Sequence, residues 1–327
     1  MRYLITGGAG FIGSHLTDAL VARGDTVLVL DDLSTGRLEN LGPALSTDAV
    51  EFVEGSILDQ ALVDECTAAT DVCLHLAAAV GVQLILDRPL DSLIRNVRGS
   101  DIVISSVARR GGKVLVVSSS EVYGKNSVGP LAETSDRILG PPSTARWAYA
   151  TAKAFAEVLA NAYGYEADTE AVSVRLFNTV GPRQTGAYGM VLPRFVQQAI
   201  DGEDLTVYGD GTQTRCFAHV ADVVDAILLL CDARGALGHT FNVGSPQGIS
   251  ILDLARRVIE RTGSDSNIRL VPYEEAYGQG FEEIGRRHPD LSLIRSVTGW
   301  SPVRTIDDMI DDVVAEHANR LEVNEVA

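Results

Sequence analysis

The 327-residue chain predicts an α/β protein: a Rossmann-type, doubly wound parallel sheet with a smaller C-terminal α/β substrate domain. Three observations predict it. The first 36 residues read strand, glycine turn, helix, strand, acid. Apolar runs then alternate with helical patterns as far as Asn178. Beyond Asn178 the alternation loosens into loops and short strands. The expected division is 1–178 for a dinucleotide and 179–327 for a substrate, with a stretch at about 212–231 returning to the first domain.

Each element follows from local pattern. Arg2 to Thr6 is a short apolar run that reads as a buried strand, and GGAGFIGSH follows it. Gly7 permits a tight turn, Gly10 lets backbone N–H groups approach a pyrophosphate, and Gly13 lets the helix pack on the strand. Phe11 and Ile12 open that helix, whose N-terminus presents its positive dipole end to phosphate. Val27 to Leu30 forms the second strand and ends in Asp31 and Asp32. Asp31 is placed to accept from an adenosine ribose, and two adjacent acids repel a 2′-phosphate, which predicts NAD rather than NADP. Val50 to Val53 is a third strand, and the loop after it sets Ser56 and Ile57 against the adenine.

A helix at Asp59 to Ala68 precedes the fourth strand, Val72 to Leu76. Leu76, Ala77 and Ala78 suit close approach of backbone to a cofactor, while His75 reads as a packed strand residue. A helical stretch from Pro89 to about Arg110 carries Asn96, expected to bond strand or cofactor backbone. Val114 to Val117 is the fifth strand, followed by SSSEVYG. After a loop at Gly140-Pro141-Pro142, a helix from about Arg146 to Tyr163 carries Tyr149 and Lys153. Val172 to Leu176 is the sixth strand. The C-terminal part reads as helices at 192–200, 221–231, 251–261 and 306–320. Strands are expected at 240–243 and 269–271, with a strand, a Gly-Asp-Gly turn and a second strand in LTVYGDGTQTRCFAHV. Asp222 and Asp225 read as a solvated helix face, and 321–327 as frayed.

Composition excludes several classes. With 27 basic and 44 acidic residues the formal charge is −17, which argues against nucleic acid and anionic membrane as partners. No apolar run is long enough to span a bilayer, and the chain begins directly on a strand, so no secretory signal is expected. Cys66, Cys73, Cys216 and Cys231 lack paired metal spacing and read as reduced thiols; no metal is expected. The expected location is the cytoplasm.

Tyr149 and Lys153 stand i, i+4 and share one helix face. An ammonium near a phenol favours the phenolate, so the pair is expected to act as a base near neutral pH. Ser119, where the fifth strand ends, is placed to relay a proton, because ligands in such sheets bind at the carboxyl ends of strands.

The glycine triplet, the serine after strand five and Tyr149-x-x-x-Lys153 together resemble the extended short-chain dehydrogenase/reductase superfamily. Asn178 in FNTVGPR and Arg215 in YGDGTQTRCF resemble its nucleotide-sugar branch, whose members oxidise a UDP- or dTDP-sugar at C4 with a retained NAD. Ser119-Ser120-Glu121 before Val122-Tyr123-Gly124, and Arg146 three residues before the tyrosine, resemble UDP-glucuronate decarboxylases. So does YGQGFEEIGRRHPD, where Arg287 or its neighbour Arg286 would enter the site.

That resemblance implies catalytic roles for Ser119, Glu121, Tyr149 and Lys153. It implies substrate contacts from Ser120, Arg146, Asn178, Tyr208, Arg215 and Arg287, with Arg215 and Asn178 on the nucleotide diphosphate. Two departures stand out: Ser119 replaces the usual threonine, and Val80-Gly81-Val82 lacks the decarboxylases' proline-rich pattern. The competing expectation is a UDP-sugar 4-epimerase, which shares every cofactor and tyrosine feature. A non-catalytic NAD sensor would be expected to lose the tyrosine or lysine, and both are here. The resemblance also implies a homodimer joined by a four-helix bundle of helices 90–110 and 146–163.

Overall fold

The computed structural model describes residues 1–80, 89–144, 146–186, 190–277 and 287–326. Seven parallel strands form its centre: β1 (Arg2–Thr6), β2 (Thr26–Asp31), β3 (Val50–Glu54), β4 (Val72–His75), β5 (Lys113–Ser119), β6 (Glu170–Leu176) and β11 (Thr240–Val243). They lie in the order β11-β6-β5-β4-β1-β2-β3. The chain runs outward from β1 to β3, then jumps back so that β4 pairs with β1. The reversal opens a crevice at the carboxyl ends of β1 and β4, where such sheets take ligands.

Period-two alternation divides the strands between two cores. Tyr3, Ile5, Leu115 and Val172 face one side, under Leu16 and Leu20 of helix Phe11–Ala22 and Val223, Ile227 and Leu230 of helix Val220–Asp232. Leu4, Cys73, Val114 and Val116 face the other, under Val103 and Val107 of helix Pro89–Ala108 and Ala156 and Ala160 of helix Arg146–Glu166. Both faces are covered, so the strands read as continuous apolar runs rather than alternating ones.

A third core gathers Phe195 and Val196 of helix Val191–Ile200, Leu254 and Val258 of helix Ile251–Thr262, and Met309 and Ile310 of helix Ile306–Val326. Around it lie three two-stranded ribbons. β7 (Thr179–Val180) pairs with β10 (Ala218–His219), β8 (Leu205–Tyr208) with β13 (Ile268–Val271), and β9 (Thr214–Cys216) with β12 (Gly248–Ser250).

Three expectations are corrected. Thr240–Val243 is the outer strand of the main sheet, paired with β6, not part of the smaller lobe. Its pattern marks a strand but no partner. The partner is set because helix Val220–Asp232 packs back on the sheet and delivers the chain to that edge. The two strands expected around the Gly-Asp-Gly turn are present, β8 paired with β13 and β9 with β12. Of the returning stretch, Val220–Asp232 lies on the main sheet while β9 stays with the smaller lobe. Asp222 is buried, accepting from the Val303 and Arg304 backbone N–H groups (3.1 and 3.0 Å) and pairing with the Arg304 guanidinium. Only Asp225 is exposed. The last helix also continues to Val326, since no glycine or proline interrupts it.

Candidate active site

One cavity of about 680 Å³ runs from the crevice into the gap between the lobes. All the predicted site residues line it except Asn96.

Its first end is a dinucleotide cradle. Gly7 has φ +75°, and its N–H donates to Leu30 O at 2.8 Å. A Cβ on Gly7 would stand 2.8 Å from the Ala77 nitrogen, and one on Gly13 2.3 Å from the Gly7 oxygen. Only hydrogen fits at either position. Gly10 caps helix Phe11–Ala22 with no side chain over the first N–H groups, which therefore face the cavity. These residues fit the pyrophosphate of NAD.

Asp31 sits at the end of β2, buried, with one oxygen accepting from Ala9 N (3.0 Å) and the other from Leu33 N (2.9 Å). Burial raises its pKa against the pull of those bonds. Asp32 pairs with Arg95 at 2.9 Å and accepts from Ser34. Ser56, Ile57, Leu76, Ala77 and Ala78 complete the wall.

Asn96 stands behind that wall. Its amide oxygen accepts from Ala79 N (2.8 Å) and its nitrogen donates to Ala79 O (3.0 Å), so it braces the loop after β4 instead of facing the cavity. Of the two expectations, strand or cofactor backbone, the amide takes protein backbone, in the loop that follows β4, because a buried amide must find a partner. His75 is packed as expected, bonded to Thr6 Oγ1 (2.8 Å) and Ser100 Oγ (3.0 Å). Burial, then the Lys153 charge, lowers it to about 3.

The second end is assembled from distant segments. β5 stops at Ser119, whose Oγ accepts from Glu121 N at 3.2 Å and caps the 3₁₀ turn Ser120–Tyr123. Glu121 is thereby free to face the cavity. Arg287 clamps its carboxylate through both terminal nitrogens, Nη2 at 2.9 Å, and Arg146 Nη2 lies 3.7 Å away. Glu121 keeps 28% of its side-chain surface exposed and Arg287 only 6%. Despite burial, Arg287, Arg146 and Arg215 hold Glu121 down at about 2. Arg287 is delivered by a short parallel contact, in which Leu131 N donates to His288 O (2.7 Å) and Asp290 N to Leu131 O (2.9 Å). Arg286, Gly81 and Val82 lie outside the described residues.

Tyr149 and Lys153 project from the first turns of helix Arg146–Glu166. Burial, then the Glu121 charge, raises the Tyr149 pKa, while a hydrogen bond with the Ser119 side chain opposes the rise. The expected lowering by Lys153 does not govern this balance. The Lys153 ammonium is turned into the strand, donating to Val117 O at 2.8 Å. Burial lowers Lys153 to about 8, with Glu157 opposing.

Asn178 follows β6 and donates from Nδ2 to Cys216 O (3.1 Å), stitching the lobes at the cavity wall. Arg194 stacks on the Tyr208 ring at 4.3 Å. Arg95, Arg183, Arg194, Gln213 and Tyr273 also line the cavity and were not legible. Arg183 and Gln213 carried a signal, standing in the same FNTVGPR and YGDGTQTRCF runs as Asn178 and Arg215. For Arg183, the φ of +66° and the 2.7 Å bond to Asp18 become visible only in three dimensions.

A dinucleotide cradle and a tyrosine–lysine pair on one cavity define a nicotinamide-dependent enzyme built on a Rossmann fold. The family model for the NAD dependent epimerase/dehydratase family matches residues 3–244. The chain belongs to that family, and NAD is its cofactor.

It is 38% identical over 302 residues to UDP-N-acetyl-alpha-D-glucosaminuronate decarboxylase of Bacillus cytotoxicus, across 92% of each chain. It is 36% identical to UDP-glucuronic acid decarboxylase 2 of Arabidopsis thaliana, across 92% of this chain and 65% of that protein. Among solved structures, UDP-glucose 4-epimerase of Thermotoga maritima superposes with a TM-score of 0.88 at 29% identity, covering 98% of this chain and 100% of that one. A dTDP-glucose 4,6-dehydratase of Streptomyces venezuelae with NAD bound gives 0.88 at 30%, covering 98% of each. Among the described residues no helix is long and apolar enough to cross a membrane.

Proposed function

We propose that the protein is an NAD-dependent UDP-glucuronic acid decarboxylase, giving UDP-xylose, UDP-4-keto-xylose or both. One observation carries the reading: Arg287 and Arg146 grip a carboxylate, that of Glu121, in the cavity that holds Tyr149. A fork that binds a carboxylate beside a proton-handling tyrosine is what a uronate substrate needs. The curated relatives at 32–38% identity are decarboxylases of nucleotide-linked uronates by name, which supports it further.

Bound NAD supplies the acceptor for the hydride of sugar C4. The chain's own residues handle protons and charge. Tyr149, as the phenolate that the Lys153 ammonium and bound NAD⁺ would favour against burial and Glu121, takes the proton of the 4-hydroxyl, with Ser119 as its hydrogen-bonded relay. The 4-keto uronate is a β-keto acid, and its C5 carboxylate leaves as CO₂ while the electron pair flows into the C4 carbonyl. Ser119 and Tyr149 donate to the developing enolate oxygen. Arg287, Arg146 and Ser120 orient the departing carboxylate. The enolate then takes a proton at C5 before any hydride returns; Glu121, held as an anion, orders Arg287 or the water that delivers that proton, since it carries none of its own to give at neutral pH. Arg215, Asn178 and Tyr208 take the nucleotide diphosphate and base. In this reading 1–178, joined by β11 and helix Val220–Asp232, is the NAD domain, and the third core carries the nucleotide sugar.

A 4-epimerase is the second reading, favoured by the Thermotoga maritima likeness. An epimerase of neutral sugars gives the Arg287–Glu121 fork no task.

We also infer a homodimer. Leu90 and Ile94 on one helix and Phe155 and Val158 on its neighbour are exposed apolar residues on adjoining faces. A monomer by light scattering contradicts this.

The deciding test incubates the purified protein with NAD⁺ and UDP-glucuronate, or its 2-acetamido analogue, and follows CO₂ and NADH absorbance together. CO₂ without net NADH is expected for hydride return, and CO₂ with matching NADH for release of the keto sugar. A new UDP-hexuronate without CO₂ overturns the decarboxylase and leaves the epimerase.

A further inference from the structure

Behind the tyrosine–lysine pair runs a buried polar network that the reaction above does not use. Glu157 is 4% exposed and lies one helical turn beyond Lys153, on the same face. The Ser118 hydroxyl donates to Glu157 Oε1 at 2.5 Å. Arg175, on β6 and itself buried, grips both oxygens, Nε to Oε1 at 2.9 Å and Nη2 to Oε2 at 2.7 Å. Arg175 Nη1 also donates to Tyr123 Oη and to Glu133 O, both at 2.9 Å. Tyr123 in turn donates to Asn242 Oδ1 on β11 at 2.7 Å. The network thus joins the catalytic helix to β5, β6, β11 and the turn that carries Ser120 and Glu121.

Adjacent residues of β5 hold the two charged side chains: Val117 O accepts from Lys153, and Ser118 donates to Glu157. Among the described residues, the charged and titratable groups around Lys153 are few. On its own helix stand Tyr149 and Glu157. From β4 comes His75, neutral at working pH, and from β6 Arg175, which reaches Lys153 only through Glu157.

We propose that Glu157 is a positioning residue for the reaction: its carboxylate, fixed between Arg175 and Ser118, is the countercharge that keeps the Lys153 side chain an ammonium beneath Tyr149. A buried lysine without a countercharge sheds its proton. A neutral Lys153 would leave Tyr149 without the positive charge its phenolate needs. The bidentate Arg175 grip stops Glu157 from swinging onto Lys153 and pulling it off Val117. The inference rests on the reading of Tyr149 and Lys153 as the proton-handling pair.

The test titrates Lys153 directly. The chain has three lysines, Lys113, Lys125 and Lys153, so protein grown on ε-¹³C-lysine gives three signals, and Lys153→Met assigns one by its loss. With NAD bound, Lys153 is expected to titrate below the ordinary lysine range, because burial disfavours its charge. In Glu157→Gln the midpoint is expected to fall by about one pH unit or more. Glu157→Asp should restore most of it. Glu157→Gln strands a buried guanidinium, so Glu157→Gln/Arg175→Met is measured beside it and should keep a downward shift, smaller because the Arg175 cation is gone too, with the fold retained. In turnover, the alkaline limb should move down with the Lys153 midpoint while KM stays within about twofold.

Folded variants in which Lys153 titrates as in the parent overturn the proposal. Loss of fold in all three does so too, since Glu157 would then be structural alone. The NMR titration needs no substrate, so its failure is separable from failure of the decarboxylase reading.

Discussion

The two ends of the cavity are built in opposite ways. The cofactor end comes from one contiguous stretch: Gly7, Gly10, Gly13 and Asp31 lie within a single βαβ unit, and their geometry is backbone geometry. The catalytic end brings together Glu121, Arg146, Tyr149, Arg215 and Arg287 from four segments far apart in the chain, and its geometry is side-chain geometry. Backbone cradles tolerate no added atoms but need no partners. Side-chain clusters tolerate some change in shape but fail when one charge loses its counterpart.

Predictions that break or sharpen this contrast run from the largest effect to the smallest. Tyr149→Phe removes the proton acceptor and leaves the cradle untouched. Turnover should drop by about 10²–10⁴-fold, with NAD affinity unchanged by calorimetry. A parallel loss of NAD binding would mean the two ends are not separable.

Arg287→Met removes both close hydrogen bonds of the Glu121 carboxylate and leaves it the longer contact with Arg146. Truncating one partner of a buried, hydrogen-bonded charge pair typically costs about 2–5 kcal/mol. The loss should appear in kcat/KM for a UDP-uronate and not in binding of UDP alone, and Glu121→Gln/Arg287→Met should recover part of the stability. The same pair sets an acid limit. Glu121 is depressed from 4.5 to about 2, so its stabilisation is complete above about 4.5 and drains away as pH falls toward 2. Thermal melts across that range should flatten in Glu121→Gln; an unchanged slope would place the acid loss elsewhere.

Gly13→Ala puts a Cβ 2.3 Å from the Gly7 oxygen. Overpacking of this kind costs about 1–3 kcal/mol. It should surface as weaker NAD binding, with the Lys153 signal unmoved once NAD saturates. Smallest is Asp32→Asn, which loosens a part-exposed pair with Arg95 worth about 0–1 kcal/mol. Melting should scarcely change, while the preference for NAD over NADP falls measurably in competition binding.

The same contrast explains what was legible. The glycines and the acids after β2 were readable because their spacing is their function. Tyr149 and Lys153 were readable because a helix fixes i, i+4. Their electrostatics were not: the spacing suggests that Lys153 lowers the phenol, whereas burial and Glu121 raise it, and the ammonium bonds the Val117 carbonyl. For Asn96, strand and cofactor stay open because sequence cannot distinguish a residue lining a wall from one bracing it. Asp222 looked solvated because nothing in VADVVDAILLLCD announces that Arg304 and two backbone N–H groups will cover it.

The sequence by itself determined the sheet's first half, the helix that meets phosphate, the tyrosine–lysine face and the class of cofactor. Each depends on contacts between near neighbours, which chirality, helical pitch and the missing Cβ of glycine fix locally. The tertiary structure alone decided that β11 joins the main sheet, that Arg287 reaches Glu121 across 166 residues, and that Glu157, Arg175 and Ser118 meet behind Lys153. Those contacts join charges that no local rule pairs. They form because a buried charge must find its partner wherever the packed layers bring one within reach.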